Sequence, residues 1–422
     1  MRVRKNFFLI ILLRIEGGIF MENNLVLSNL YRADLPGNFN EFDILDKHWV
    51  RVVKLLQMQK LPPYEIIIHP TCICNLRCKW CIGQNITTGR IENEALEEKL
   101  SNPDNMLHVL KNICSYEKYS DYSLNQTDLP KSFRIQNISF SGLIGEPLMA
   151  KEAVLAGMKY LVEQRIRTGI FTNGLLIDRE CAETLSYIDY VLISIDAGTN
   201  DTYNFTKCNN ISTKKNVDQI LQNISYLRDA KRRNHTNLDI NVGFVVNEFN
   251  FSEISLAAKL LKDAGVHYFR LKFDIAVKHK LNSQQLDEVR KQIEFIHEHM
   301  EDDYFKLVEI HRMSELIASD QKRMFDTCYI NKLFAAVGPD GYLYACNYHA
   351  KKGGKKHMSL LEHPFSDVWE SFNYCEVDFC PAVCDPFKNR ANNMLNALQH
   401  EYNQVGLVEL EKLRGIWNEK HN

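Results

Sequence analysis

The sequence predicts an α/β fold built on parallel strands, and three observations predict it. Short β-branched runs alternate with helical stretches six times between residues 63 and 305. Such alternation makes parallel strands joined by helical crossovers, in a barrel-like or an open sheet. The first run, in "YEIIIHPT", empties into "CICNLRCKWC" (72–81), four cysteines in ten residues. Beyond about residue 305 the alternation stops, and five of the twelve cysteines gather there. In both kinds of sheet, chemistry sits at the C-terminal ends of strands. The cysteine loop opens at such an end.

Taken in order, an amphipathic lead-in (43–59) ends at Leu61-Pro62-Pro63, and Ile66-Ile67-Ile68 is the first strand. A helical stretch over 95–114 breaks near Pro103, and the polar residues 115–133 read as a loop insertion. "FRIQNISFSG" (133–142) is the second strand, followed by an Ala/Leu/Met helix from about Ala150. "RTGIFTNG" (167–174) ends in an Asn-Gly turn, and "DYVLISIDAG" (189–198) precedes a helix over about 214–231. "LDINVGFVVN" (238–247), a helix near 252–265, "HYFRLKFDI" (267–275) and a helix at 287–300 complete the series. "FAAVGPDGYLYACN" (334–347) is then a hairpin with a Pro-Asp-Gly turn. On the last barrel strand, Arg270, Lys272 and Asp274 share one face. They either line a cavity or are solvated strand-edge charges.

Composition bounds the function. A chain of 422 residues with 45% hydrophobic content holds one large domain and a smaller one. A net charge of −2 makes no electrostatic case for nucleic acid or an anionic membrane. The bunched cysteines point to a reducing, cytoplasmic setting and to metal or redox chemistry rather than a disulfide scaffold. The apolar run Phe7–Leu13 is too short to span a bilayer and lacks a small-residue cleavage site. Glu16-Gly17-Gly18 is what a purine-rich ribosome-binding sequence becomes on translation, so residues 1–20 are expected to be a mis-annotated start, with Met21 the true one.

Cys74-x-x-x-Cys78-x-x-Cys81 offers three thiolates from one loop. Structural zinc and cubane iron–sulfur sites both ordinarily take four ligands. Three therefore suggest a cluster with one iron left open, or else a zinc knuckle completed by Cys72 or His69.

With Trp80 at the aromatic position, "CNLRCKWC" resembles the radical S-adenosylmethionine enzymes. The resemblance runs through about residues 63–305. "SGLIGEPLM" (141–149) is similar to the family's Gly-Gly-Glu-Pro segment, with Ile144 in place of its first glycine. "FTNGLLID" is similar to the third strand's ending, and "SID" (194–196) to the ribose-contacting end of the fourth. The resemblance implies a partial (β/α)6 TIM-like barrel. It also implies a 4Fe–4S cluster on Cys74, Cys78 and Cys81, whose open iron takes S-adenosylmethionine. Trp80, Gly145, Glu146, Ser194, Asp196 and Asn247 are the expected cofactor contacts. The Glu146 carboxylate would hold the amino group, and Ser194 and Asp196, two apart on a strand, would share a face toward the ribose. The implied chemistry is reductive cleavage to a 5′-deoxyadenosyl radical. Cys208, just beyond the fourth strand, is the candidate catalytic thiol for returning a hydrogen atom.

Cys328, twelve residues, Gly341, four residues and Cys346 are similar to the first half of a SPASM domain. Gly341 supplies the positive-φ position of the turn. The full pattern has seven cysteines and this segment five, which fits the shortened twitch version with one auxiliary 4Fe–4S cluster. Its expected ligands are Cys328, Cys346, Cys380 and Cys384, with Cys375 as substitute; a structural zinc ion on the same four cysteines is the alternative. The expected domains are 21–62 as an N-terminal extension, 63–305 as the core and 306–422 as a metal-stabilised α+β domain.

The resemblance implies an enzyme that modifies a ribosomal peptide or a protein side chain, with a flavodoxin- or ferredoxin-type electron donor. Oxidation or rearrangement of a sugar or aminocyclitol is the alternative, and a non-enzymatic iron–sulfur or zinc sensor is the remote one.

Overall fold

Ten strands make one sheet, and eight of them run parallel. The computed structural model describes residues 45, 48–81, 96–119, 132–142, 145–208, 216–274, 281–310, 325, 327–350, 353–373, 380 and 384–419. The expectations for residues 1–20, Ile144 and Cys375 lie outside the described residues. In chain order the strands are β1 (Glu65–Ile68), β2 (Glu117–Tyr119), β3 (Ser132–Arg134), β4 (Asn137–Phe140), β5 (Arg167–Thr172) and β6 (Tyr190–Ser194). There follow β7 (Asp239–Val246), β8 (Tyr268–Phe273), β9 (Lys306–Glu309), β10 (Phe334–Val337), β11 (Tyr342–Tyr344) and β12 (Lys356–Ser359). The sheet order is β12-β11-β10-β1-β4-β5-β6-β7-β8-β9, and β2 and β3 form a separate antiparallel pair.

The six expected strands are β1 and β4 to β8, in sequential order. Two more join them in parallel. β9 extends the sheet beside β8, just past the point where the sequence alternation was read as ending. β10 pairs with β1 at the other side, Glu65 against Phe334 and Ile68 against Val337. The expected hairpin is therefore part of the core sheet. The segment read as a loop insertion contains β2, and "FRIQNISFSG" is divided between β3 and β4.

Local chemistry fixes the helix ends. Asn102 caps Pro103–Cys114 by accepting from the amides of Asp104 and Asn105, with proline at the first turn. Asn282 and Gln285 form a reciprocal capping box on Ser283–His299. Gly265, at φ 87°, ends Ile254–Ala264 in the left-handed conformation that glycine takes without a Cβ penalty.

The two sheet faces differ in kind. Alternate residues, such as Ile138, Ile170, Val191, Val242 and Leu271, belong to one buried cluster with the crossover helices. The opposite face carries Glu65, Ser139, Tyr190, Asn241, Arg270 and Lys272, by the two-residue alternation of strands. Parallel sheets are ordinarily apolar on both faces. Here the second face mixes those polar groups with Ile67, Phe171, Leu192 and Val245.

A second apolar cluster joins the first described helix to the last helical segment. Trp49, Val52 and Leu56 of the helix Trp49–Leu56 pack with Met394, Leu395 and Leu398 of the C-terminal segment Pro386–Glu419, two helices that meet at a kink at Gly406. No described helix is long and apolar enough to cross a membrane.

Candidate active site

Five strand-end segments meet at the C-terminal edge of the parallel sheet, and hydrogen bonds tie the cysteine loop to its neighbours. The Glu146 amide donates to Ile73 O at 2.8 Å, and Asn173 Nδ2 to Asn75 Oδ1 at 2.6 Å. On the other side, the amides of Arg77 and Lys79 donate to Lys207 O and Thr206 O at 3.0 and 2.9 Å. Gly145 is required by close approach: a Cβ there would stand 2.1 Å from Thr71 O. Trp80 is buried, its ring nearly parallel to that of Phe249, with centroids 6.4 Å apart.

The three loop thiols feel one another. Burial raises Cys78 to about 12, with Cys81 and Cys74 adding to the rise, and burial also raises Cys74. The cationic charge of iron would make thiolates of them, so this donor set fits a cluster. Cys72 and His69, the residues that would have completed a zinc knuckle, face elsewhere. Burial raises Cys72 to about 11, and the carboxylates that act on it are Glu98 and Asp340. His69 Nδ1 lies 3.1 Å from Ser141 O, and burial lowers its pKa to about 4.

Glu146 is buried and already engaged. Its carboxylate accepts from Thr172 Oγ1 at 2.6 Å, from the Asn173 amide at 2.7 Å and from the Leu148 amide at 3.2 Å. Burial raises its pKa while those donors pull it down. It thereby splices the end of β4 to the end of β5.

The expected pairing of Ser194 and Asp196 on one strand face does not occur. β6 ends at Ser194, and Asp196 lies beyond it with φ 55°, in the left-handed region, so strand alternation no longer sets its direction. Its buried carboxylate accepts from Lys207 Nζ at 2.6 Å and from the Val245 amide at 2.7 Å. Asn247 also spends its side chain locally: Nδ2 donates to Val245 O and Oδ1 accepts from the Phe249 amide.

Lys207 is the residue sequence reading missed. Burial alone would lower its pKa, but Asp196, Cys78 and Tyr203 raise it, and its charge in turn lowers the Cys74 and Cys78 thiols. A lysine is by default a solvated charge; only its position next to the flagged Cys208 hinted otherwise. Cys208 itself is buried, and both it and Cys78 act on the Tyr203 phenol.

The C-terminal thiols form a second set. Burial raises Cys328 strongly, with Cys346, Cys384 and Cys380 each adding to the rise, and it raises Cys384 to about 12. Gly341, at φ 78°, turns the β10–β11 hairpin as its spacing implied. Among the described residues, no three His, Cys, Asp or Glu side chains are grouped so as to hold a single metal ion.

Residues 68–258 match the family model of the Radical SAM superfamily. A curated S-adenosylmethionine-dependent nucleotide dehydratase from Fibrobacter sp. (strain UWH6) is 25% identical over 193 residues, 44% of this chain; the match spans 48%, about half, of that protein's length. The fold resembles Streptococcus suis SuiB bound to precursor peptide SuiA, with TM-score 0.53, 15% identity, and coverage of 87% of this chain and 82% of that one. It also resembles anSMEcpe with bound AdoMet, with TM-score 0.52, 15% identity, and coverage of 84% of this chain and 100% of that one. The family match takes in the strand-end segments of the site, and the fold shared with these structures extends along most of the chain; a radical SAM domain implies a 4Fe–4S cluster and S-adenosylmethionine as cofactors.

Proposed function

We propose that the protein cleaves S-adenosylmethionine reductively and uses the resulting radical to abstract a hydrogen from a peptide or protein side chain. When bound, the cofactor pair supplies the electron and the 5′-deoxyadenosyl radical; the protein supplies position and exclusion of water. In this reading Cys74, Cys78 and Cys81 hold the first cluster, and Gly145 lets the chain beyond β4 close on the cysteine loop at Thr71. Glu146 and Lys207 hold the surrounding segments in register. Cys328, Cys346, Cys380 and Cys384 hold the auxiliary cluster, and a flavodoxin or ferredoxin delivers the electron.

The observation that carries the proposal is the pairing of two thiol sets, one on the β1 loop and one in the segment that β10 joins to the same sheet. A fold shared with SuiB, which binds a precursor peptide, supports the peptide class. The activity named for the Fibrobacter relative favours a small-molecule substrate as the second reading.

The test is 5′-deoxyadenosine release by anaerobically reconstituted protein given S-adenosylmethionine and a strong reductant. Wild type should release it and Cys78→Ala should not. Cys328→Ala with Cys346→Ala should retain release once circular dichroism shows the native fold. Wild-type protein loaded with iron that releases none would overturn the proposal.

A further inference from the structure

A cavity of about 650 Å³ lies at the far edge of the sheet from the cysteine loop. Arg228, Lys231, Arg232, Lys262, His267 and Tyr304 are among the residues that line it. Ile240 near the start of β7, His267 just before β8 and Phe305 just before β9 border it too. These are the N-terminal ends of parallel strands, so cavity and cluster loop occupy opposite edges of one sheet.

Hydrogen-bond direction fixes the state of the lysine in this cavity. The Ile240 amide donates to His267 Nδ1 at 2.9 Å. A backbone N–H can only donate, so Nδ1 presents its lone pair and the neutral ring keeps its hydrogen on Nε2. Nε2 stands 2.9 Å from Lys231 Nζ. An ammonium has three hydrogens and no lone pair, so it cannot accept from Nε2–H. The contact is satisfied only when Lys231 is the unprotonated amine.

The charges around the pair come from four segments. On the helix Val217–Asn234, Arg228 pairs with Asp229 at 3.5 Å, and His235 follows the helix end. Arg232, on the same helix, forms no ion pair among the described residues. From the helix Ile254–Ala264, Lys262 pairs with Asp302, which precedes β9, at 2.7 Å. Burial lowers the pKa of Lys231 against the opposing pull of Asp239 at the start of β7. The carbonyls of the helix's last turn also favour an ammonium. The cations Arg228, Arg232 and Lys262 disfavour one.

We infer that Lys231 is a nucleophilic amine and that the cavity takes an aldehyde or ketone bearing an acidic group, which condenses with Lys231 as an imine. The nitrogen lone pair attacks the carbonyl carbon, a carbon–nitrogen bond forms, and the carbonyl oxygen leaves as water. Nothing is oxidised or reduced. Arg232, with no carboxylate partner among the described residues, takes the ligand's acidic group. Neither residue has a part in the proposed reaction at the opposite edge of the sheet.

The experiment treats the full reconstituted chain with pyridoxal 5′-phosphate, an aldehyde with a phosphate, then with cyanoborohydride, and maps the labelled peptides. Lys231 should be labelled at least about tenfold faster than the exposed Lys159 and Lys291, because the rate follows the unprotonated fraction. Pyridoxal lacking the phosphate should label Lys231 at least about threefold more slowly, and Arg232→Gln should remove that difference. A second measurement uses ¹³C-formaldehyde methylation and NMR: the Lys231 methyl signal, assigned by its loss in Lys231→Met, should titrate at lower pH than those of Lys159 and Lys291. Circular dichroism confirms the fold of both variants. Labelling of Lys231 no faster than that of Lys159, or a methyl signal that titrates with the exposed lysines, overturns the nucleophilic amine. Equal rates with the two aldehydes overturn the acidic ligand. Neither measurement needs S-adenosylmethionine, so deoxyadenosine release reports separately on the proposed function.

Discussion

Lys207 and Asp196 show how much of this site depends on a single buried contact. Their side chains are 5% and 4% exposed and 2.6 Å apart. Losing one partner of such a pair strands the other charge in the interior, at a cost of about 3–5 kcal/mol. Lys207→Met should therefore lower the unfolding free energy of cluster-free protein, read from its urea transition, by that amount. Lys207→Met with Asp196→Leu should recover a large part of the loss, since the stranded carboxylate is gone. A single variant as stable as wild type would mean that the pair does not hold the loop. Glu146 makes the same point from the other side of the loop: its donors are Thr172, Asn173 and Leu148, so its stabilising role is structural before any ligand arrives.

Among the elements, the β10–β11 hairpin is the one whose turn chemistry reaches farthest. The Gly341 amide donates to Gly338 O at 2.9 Å, and Tyr344 OH bonds Asp340 Oδ2 at 2.8 Å. At Gly341 φ is positive, and an added Cβ would meet Leu361 Cδ1 at 2.9 Å. Gly341→Ala should cost about 1–2 kcal/mol for the left-handed backbone alone, with the contact adding to it. Because β10 pairs with β1, the loss should appear in the main thermal transition rather than in a separate early one. An early, isolated transition would show that the hairpin melts independently of the sheet.

For the molecule as a whole, β1, which leads into the first thiol set, and β10, which lies between Cys328 and Cys346 of the second, are neighbours in one sheet. Reconstituted protein should bind about eight irons, two cubanes' worth, and replacing Cys74, Cys78 and Cys81 together by alanine should remove about half. Iron and zinc analysis checks both numbers, and zinc retained at the second set under anaerobic reconstitution would replace the auxiliary cluster with a structural ion. The helix Trp49–Leu56 packs against the C-terminal helix, where Trp49 Nε1 donates to Glu411 Oε1 at 2.5 Å. Segments far apart in sequence thus brace one another.

The sequence by itself determined the features that are local. β-branched runs separated by helical stretches specify parallel strands, and three thiols separated by three and by two residues lie within reach of one centre on a single loop. Gly341 was legible for the same reason, since a turn's backbone requirement is set within four residues. Only the tertiary structure decided the rest, because burial and pairing depend on partners distant in the chain. Nothing near Lys306–Glu309 or Phe334–Val337 says that those strands will flank β8 and β1. Strand spacing placed Ser194 and Asp196 on one face, but the chain leaves β6 at Ser194 and turns left-handed, so that Asp196 meets Lys207. The alternation of "FRLKF" left Arg270 and Lys272 either solvated or inward-facing. Packing of Phe269, Leu271 and Phe273 into the helix-side cluster turns the alternate side chains, Arg270 and Lys272, to the opposite face of the sheet.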